Sequence, residues 1–158
     1  MILDRLAVVE SALWVYIARG DMKSEERTLQ SDEGPCADNY SFQMTPGWLD
    51  AERGAIGGNV GVNGYTTIAQ ADLLADGLEV SPGSLLLDLG CGRGWPGAYI
   101  AERTGCRAVL TDMPRAALVV ASGEFGDRTD VAIVQSTGAN LPFAPRSFDA
   151  ISHADVLC

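Results

Sequence analysis

Residues able to do chemistry gather in one short stretch, Asp88-Leu-Gly90-Cys-Gly92-Arg-Gly94, between the apolar run Leu85–Leu89 and a segment opened by Pro96. Glycines at such a turn serve separate ends. One lets the backbone turn sharply, another removes a Cβ that would block a ligand, and a third lets a helix approach a strand closely. The following helix N-terminus offers free N–H groups and a partial positive charge to an anionic group. Two ligands fit the spacing. Gly92-Arg-Gly94-Trp-Pro-Gly97 satisfies G-x-G-x-x-G, and Asp112 follows about 20 residues after Gly92, as in a dinucleotide fingerprint. Against a dinucleotide, the strand ends near Gly90, so that register starts late. Asp88 would also set a carboxylate beside the pyrophosphate. A carboxylate there suits a ligand carrying an ammonium group, which leaves NAD-dependent oxidoreduction as the less favoured alternative.

His153 and Asp155 are the catalytic candidates. They stand two apart in an expected strand and so point to one face; His153 reads either as a general base or as a local hydrogen-bonded histidine. Tyr65 and Thr66 either approach the ligand or cap a helix and pack. Trp95 reads as a packing anchor rather than a cation–π partner, and Cys91 as incidental, although its turn would lower a thiol pKa. The four cysteines form no C-x-x-C pair, and with a single histidine the sequence predicts no metal site.

The elements that must position these residues are legible downstream. Thr67 and Gln70 make a capping box for a helix that stops near Gly77. SPG (81–83) turns the chain into LLLDLG, an uninterrupted apolar run suited to a strand buried on both faces. Pro96 opens a helix that Gly105 ends. AVLTDM (108–113) reads as a second strand, Pro114 and Gly123 bracket a helix, VAIVQS (131–136) is a third strand and FDAISHADVL (148–157) a fourth. This alternation predicts an α/β fold, a Rossmann-like doubly wound parallel sheet of about four strands. Upstream, Ile2, Leu6, Val9, Leu13 and Ile17 share one helical face, giving an N-terminal helical cap over roughly 2–19. Residues 21–46 read as linker, and 54–64, rich in glycine, as a flexible connection able to close over a ligand. The expected division is a helix and cap over 1–62 and a ligand-binding domain over 63–158.

LLLDLGCGRGWPG resembles motif I of class I S-adenosylmethionine-dependent methyltransferases. TDMP resembles the acidic end of their second strand, and GANLPFAPRSFDAI resembles the L-P-F…S-F-D block of the type 11 group, which includes ubiquinone and menaquinone biosynthetic enzymes. The resemblance runs from about Asn63 to Cys158. It implies that Asp88 and the backbone at Gly90, Gly92 and Gly94 hold the methionine part of S-adenosyl-L-methionine. Asp112 would accept both ribose hydroxyls, Met113 would lie against adenine, and the loop at Thr137 and Gly138 would read the adenine edge. Thr137 departs from the family, which carries an acid there. Phe143 is expected to pack under that loop. The implied activity is methyl transfer to a small-molecule acceptor, with a non-catalytic cofactor-binding half-domain as the alternative. The family's seven strands run 3-2-1-4-5-7-6, so a chain stopping on the fourth is expected to be partial, with an apolar edge open to self-association.

Composition sets the outer bounds. Hydrophobic residues make up 47% and charged residues 20% of the 158, a globular balance. The net charge of −10 comes with no basic run, which disfavours a nucleic-acid partner. No stretch approaches the ~18 apolar residues that a membrane span requires, and Asp4 and Glu10 argue against a signal peptide. A cytoplasmic protein is expected.

Overall fold

The computed structural model describes residue 40 and residues 44–61 and 64–156. The N-terminal helix expected over 2–19 lies outside them.

The first helix of the described residues falls between the linker expected over 21–46 and the glycine-rich connection expected over 54–64, where the sequence reading places no element. α1 spans Pro46–Ile56, with Thr45 as N-cap accepting a hydrogen bond from the Trp48 amide at 3.2 Å. Pro46 fits its first turn because a missing N–H costs nothing there. Gly57, at φ 95°, ends it in the left-handed conformation that favours glycine. Residues 54–56 of the expected flexible connection are therefore its last turn.

α2 (Ile68–Gly77) starts at the reciprocal capping box of Thr67 and Gln70. β1 (Leu85–Leu89) follows, then α3 (Gly97–Thr104), ended by Gly105 at φ 71°. β2 is Arg107–Asp112 and α4 is Arg115–Phe125. α4 runs through Gly123, the expected stop, because a single helical glycine costs only about 1 kcal/mol and Phe125 beyond it packs against the core. β3 is Val131–Gln135 and β4 is Ala150–Ser152.

All strand pairs are parallel, in the order β3-β2-β1-β4. This is a Rossmann-like α/β fold with the first four strands in the family order. Alternation along β1 sorts the core. Leu86 joins Ile100, Ala108, Leu110, Leu118 and Ile133 on the face that carries α2, α3 and α4. Leu85 and Leu87 join Val109 and Val134 on the other, covered by Phe143 and Phe148, whose rings meet edge to face at 4.9 Å. Phe143 thus packs under its loop, as the sequence predicts. An apolar run with no polar interruption before Asp88 is what two covered faces require.

β4 is far shorter than the ten residues assigned to it from sequence. Its last register pair is Asp88 with Ser152. On the other side of β1 the ladder to β2 runs on, the Gly90 amide donating to the Thr111 carbonyl at 2.7 Å. Asp155 then adopts φ 58°, which no strand continues through.

Candidate functional site

β1 lies between β2 and β4, so the chain order reverses beside it, and parallel α/β sheets form their crevice at the C-terminal ends of such strands. The sequence candidates converge there. Asp88 ends the buried part of β1, Asp112 ends β2, and Thr137 and Gly138 follow β3. The register pairs Asp112 with Gln135, and the Ser136 amide donates to the Asp112 carbonyl at 3.0 Å, which brings the third loop against the second.

The glycine turn is fastened to the acid at the end of β2. The Gly92 amide donates to Asp112 Oδ2 at 2.7 Å, and the Met113 amide to Asp112 Oδ1 at 2.7 Å. A carboxylate has about four lone-pair sites, so each oxygen keeps one for a ligand. Gln135 Nε2 donates to the Met113 carbonyl at 2.9 Å, fixing Met113 from its other end. Burial raises the Asp112 pKa, opposed by these two amide bonds. Thr137 and Asn140 form an isolated antiparallel bridge, and Gly138 between them has open space where a Cβ would stand.

Asp88 is placed differently from a residue that grips a ligand. Only 1% of it is exposed, and both oxygens are engaged: Ser152 Oγ donates to Oδ1 at 2.7 Å, the Gly97 amide to Oδ2 at 3.0 Å. A Cβ on Gly97 would stand 2.5 Å from Asp88 Oδ2 and 2.6 Å from Leu110 Cδ2, so α3 reaches the strand only because that residue is glycine. Burial pushes the Asp88 carboxyl from 3.8 up to about 6, against the lowering effect of the Ser152 and Gly97 bonds. Ser152 escapes detection in the sequence, since only parallel pairing brings it opposite Asp88.

The remaining candidates separate. His153 and Asp155 do not form a pair on one strand face, because β4 ends at Ser152. His153 is exposed. Asp155 Oδ2 instead accepts from the Tyr65 amide at 2.8 Å, the Thr66 amide at 3.0 Å and Thr66 Oγ1 at 3.0 Å. Trp95 Nε1 donates to the Thr66 carbonyl at 2.9 Å and its ring lies 5.2 Å from that of Tyr99, an anchoring role. The Cys91 thiol is raised well above its ordinary pKa, first by burial and then by Asp88 and Asp112. That reverses the lowering its turn implies from sequence. Among the described residues no group of three or more His, Cys, Asp or Glu could hold a metal, and no helix is long and apolar enough to cross a membrane.

Residues 86–158 match the family model of the methyltransferase domain. The chain is 36% identical over 81 residues to the methyltransferase GfsG of Streptomyces halstedii, covering 49% of this chain and 29% of that protein. It is 35% identical over 75 residues to demethylmenaquinone methyltransferase of Corynebacterium urealyticum, covering 48% of this chain and 30% of the relative. The chain therefore spans less than a third of the curated relatives it matches. A solved phosphoethanolamine N-methyltransferase 2 of Haemonchus contortus superposes with TM-score 0.58 at 21% identity, over 76% of this chain and 29% of that one, a likeness of fold. Residues 86–158 thus resemble the methyltransferase domain in sequence, and the chain shares the Rossmann-like fold of that solved structure.

Proposed function

We propose that the chain binds S-adenosyl-L-methionine and contributes to methyl transfer onto a small-molecule acceptor. The observation that carries this reading is the 2.7 Å bond from the Gly92 amide to Asp112, which makes the glycine turn and the acid one cradle. When bound, the cofactor supplies an activated methyl group for in-line displacement. The chain's part is to hold and orient. Asp112 accepts the ribose hydroxyls with the lone pairs its amide bonds leave over, Met113 supports the adenine, and Thr137 and Gly138 border its edge. The turn through Gly90, Gly92 and Gly94 presents its backbone to the methionine end, with Val156 packed against Gly90 and Phe125 against Gly94. Asp88, being 1% exposed, acts on the ammonium group through its charge rather than by direct contact. Names of relatives support the acceptor class: one acts as a demethylmenaquinone methyltransferase. The reading extends to a cytoplasmic protein, in keeping with the buried free thiols of Cys91 and Cys106, and to a surface that engages no nucleic acid.

S-Adenosylhomocysteine is expected to raise the melting temperature, and NAD and NADP to leave it unchanged. At a free ligand level 100 times Kd the stabilisation is about 2.7 kcal/mol. A shift with NAD alone would remove the reading.

The same reading includes self-association through β4, the edge of the described sheet, where Ile151 is 55% exposed. Unpaired strand groups invite a second copy, and edge lysines discourage it. Ile151→Lys is expected to lower the apparent mass in light scattering without unfolding the chain. A wild type that is monomeric at all concentrations would end this part of the proposal.

A further inference from the structure

Three segments far apart in sequence meet around the glycine turn. From the entrance of α2, the Tyr65 and Thr66 amides and Thr66 Oγ1 all donate to one oxygen of Asp155, at 2.8–3.0 Å. From the turn itself, Trp95 Nε1 donates to the Thr66 carbonyl at 2.9 Å. From the segment leaving β4, the Val156 side chain fills the space where Gly90 would carry a Cβ. The contacts close a circuit, running from Gly90 to Val156, back one residue to Asp155, across to Thr66, and through Trp95 to the turn. The close approach at Gly64 belongs to the same fit, since a Cβ there would stand 2.5 Å from Asp155 Oδ2. Thr66 is only 8% exposed although both its backbone and its hydroxyl are polar, and the circuit satisfies all of them.

We infer that Asp155 is a positioning residue for the methionine end of the cofactor crevice, clamping the entrance of α2 to the segment after β4 so that the wall beside Gly90 is held in one place. The inference rests on the methyltransferase reading and deepens it. Geometry locates the effect at one end of the ligand. Asp112, Met113 and Gly138 lie at the ends of β2 and β3, on the far side of the sheet order from β4, and the circuit meets them only through the Gly92 amide, which donates to Asp112. Tyr65, 85% exposed, is carried on backbone that the clamp fixes.

Two probes separate the ends. S-Adenosylhomocysteine has the amino-acid end; 5′-methylthioadenosine keeps the nucleoside and sulfur without it. Calorimetry on Asp155→Ala is expected to show S-adenosylhomocysteine affinity reduced about tenfold or more, because binding must then order the wall that the lost hydrogen bonds held. Methylthioadenosine affinity should stay within about twofold, which also shows that the variant is folded. Asp155→Asn, which keeps an acceptor oxygen, should restore most of the loss. Thr66→Val removes one of the three donors and keeps both amides, and should give a smaller loss of the same selectivity should the alanine variant not fold. Equal weakening of both probes, or no weakening of either, would overturn the inference. A wild type that binds neither probe overturns instead the reading on which it rests.

Discussion

Asp88→Asn is expected to make the ligand-free protein more stable at pH 8 by about 3 kcal/mol, the conversion of a shift of about two pKa units at 1.36 kcal/mol each. Asp88 is 1% exposed, and burial raises its carboxyl to about 6. An acid whose folded pKa lies above its unfolded value favours the folded state when protonated. Its contribution is full below the unfolded value of 3.8 and is lost as the pH rises through about 6. The wild type should therefore lose stability between those two values, and an asparagine, always neutral, should not. Its amide can meet both present partners, accepting from the Gly97 N–H and donating to Ser152 Oγ. Glu124, also raised by burial, titrates in both proteins and cancels from the difference, whereas the charge of Asp112 is part of what raises Asp88. Urea unfolding at pH 4 and pH 8 measures it. Identical pH dependence in the two proteins, or a variant less stable at pH 8, would show that Asp88 is not a strained buried charge. Under the proposed function the variant has a second signature. A cationic ammonium group near Asp88 favours the ionised form, so S-adenosylhomocysteine should bind the wild type more weakly as the pH falls through about 6. Asp88→Asn should bind it weakly throughout.

Such a charge is kept where packing alone would remove it, and this bears on what the sequence shows. Motif I, the Thr67/Gln70 capping box, the doubly buried β1 and the helix stop at Gly105 are all legible because each is local. A cap needs residues three apart, and a strand shows its burial in its own composition. α1 was locally legible too: Thr45 and Pro46 are an N-cap and first-turn signal, obscured by the glycines that follow. What resisted reading is tertiary. Nothing near Asp155 announces that its carboxylate binds backbone 90 residues upstream. Period-two alternation placed it beside His153 only by assuming a strand that parallel pairing does not sustain past Ser152. Ser152 itself is an ordinary strand serine until the register sets it opposite Asp88. The same holds for Asp112. The sequence locates it at a strand end, but not its prior commitment to two amides.

That commitment shapes the second large effect. Asp112→Ala is expected to weaken S-adenosylhomocysteine by about 1.5–3 kcal/mol, the range for hydrogen bonds to a charged group. At 1.4 kcal/mol per factor of ten this is about 10- to 150-fold. Because the ribose is common to both probes, 5′-methylthioadenosine should weaken by the same factor, unlike the selective loss expected for Asp155→Ala. Stability should also fall, by about 1–3 kcal/mol, since the Gly92 and Met113 amides lose their acceptor in a half-buried place. Asparagine is not a faithful stand-in here. The carboxylate accepts on both oxygens, and an amide has one oxygen, so its NH2 must face either the Gly92 or the Met113 N–H, donor against donor. Asp112→Asn should thus lie between wild type and Asp112→Ala in affinity while keeping only part of the lost stability. Calorimetry with both probes and urea unfolding measure the two effects separately. Unchanged affinity for both probes in the alanine variant would mean that the ribose lies elsewhere and that Asp112 serves only to fasten the glycine turn. A loss confined to S-adenosylhomocysteine would place the nucleoside away from β2 and reverse the orientation proposed for the ligand.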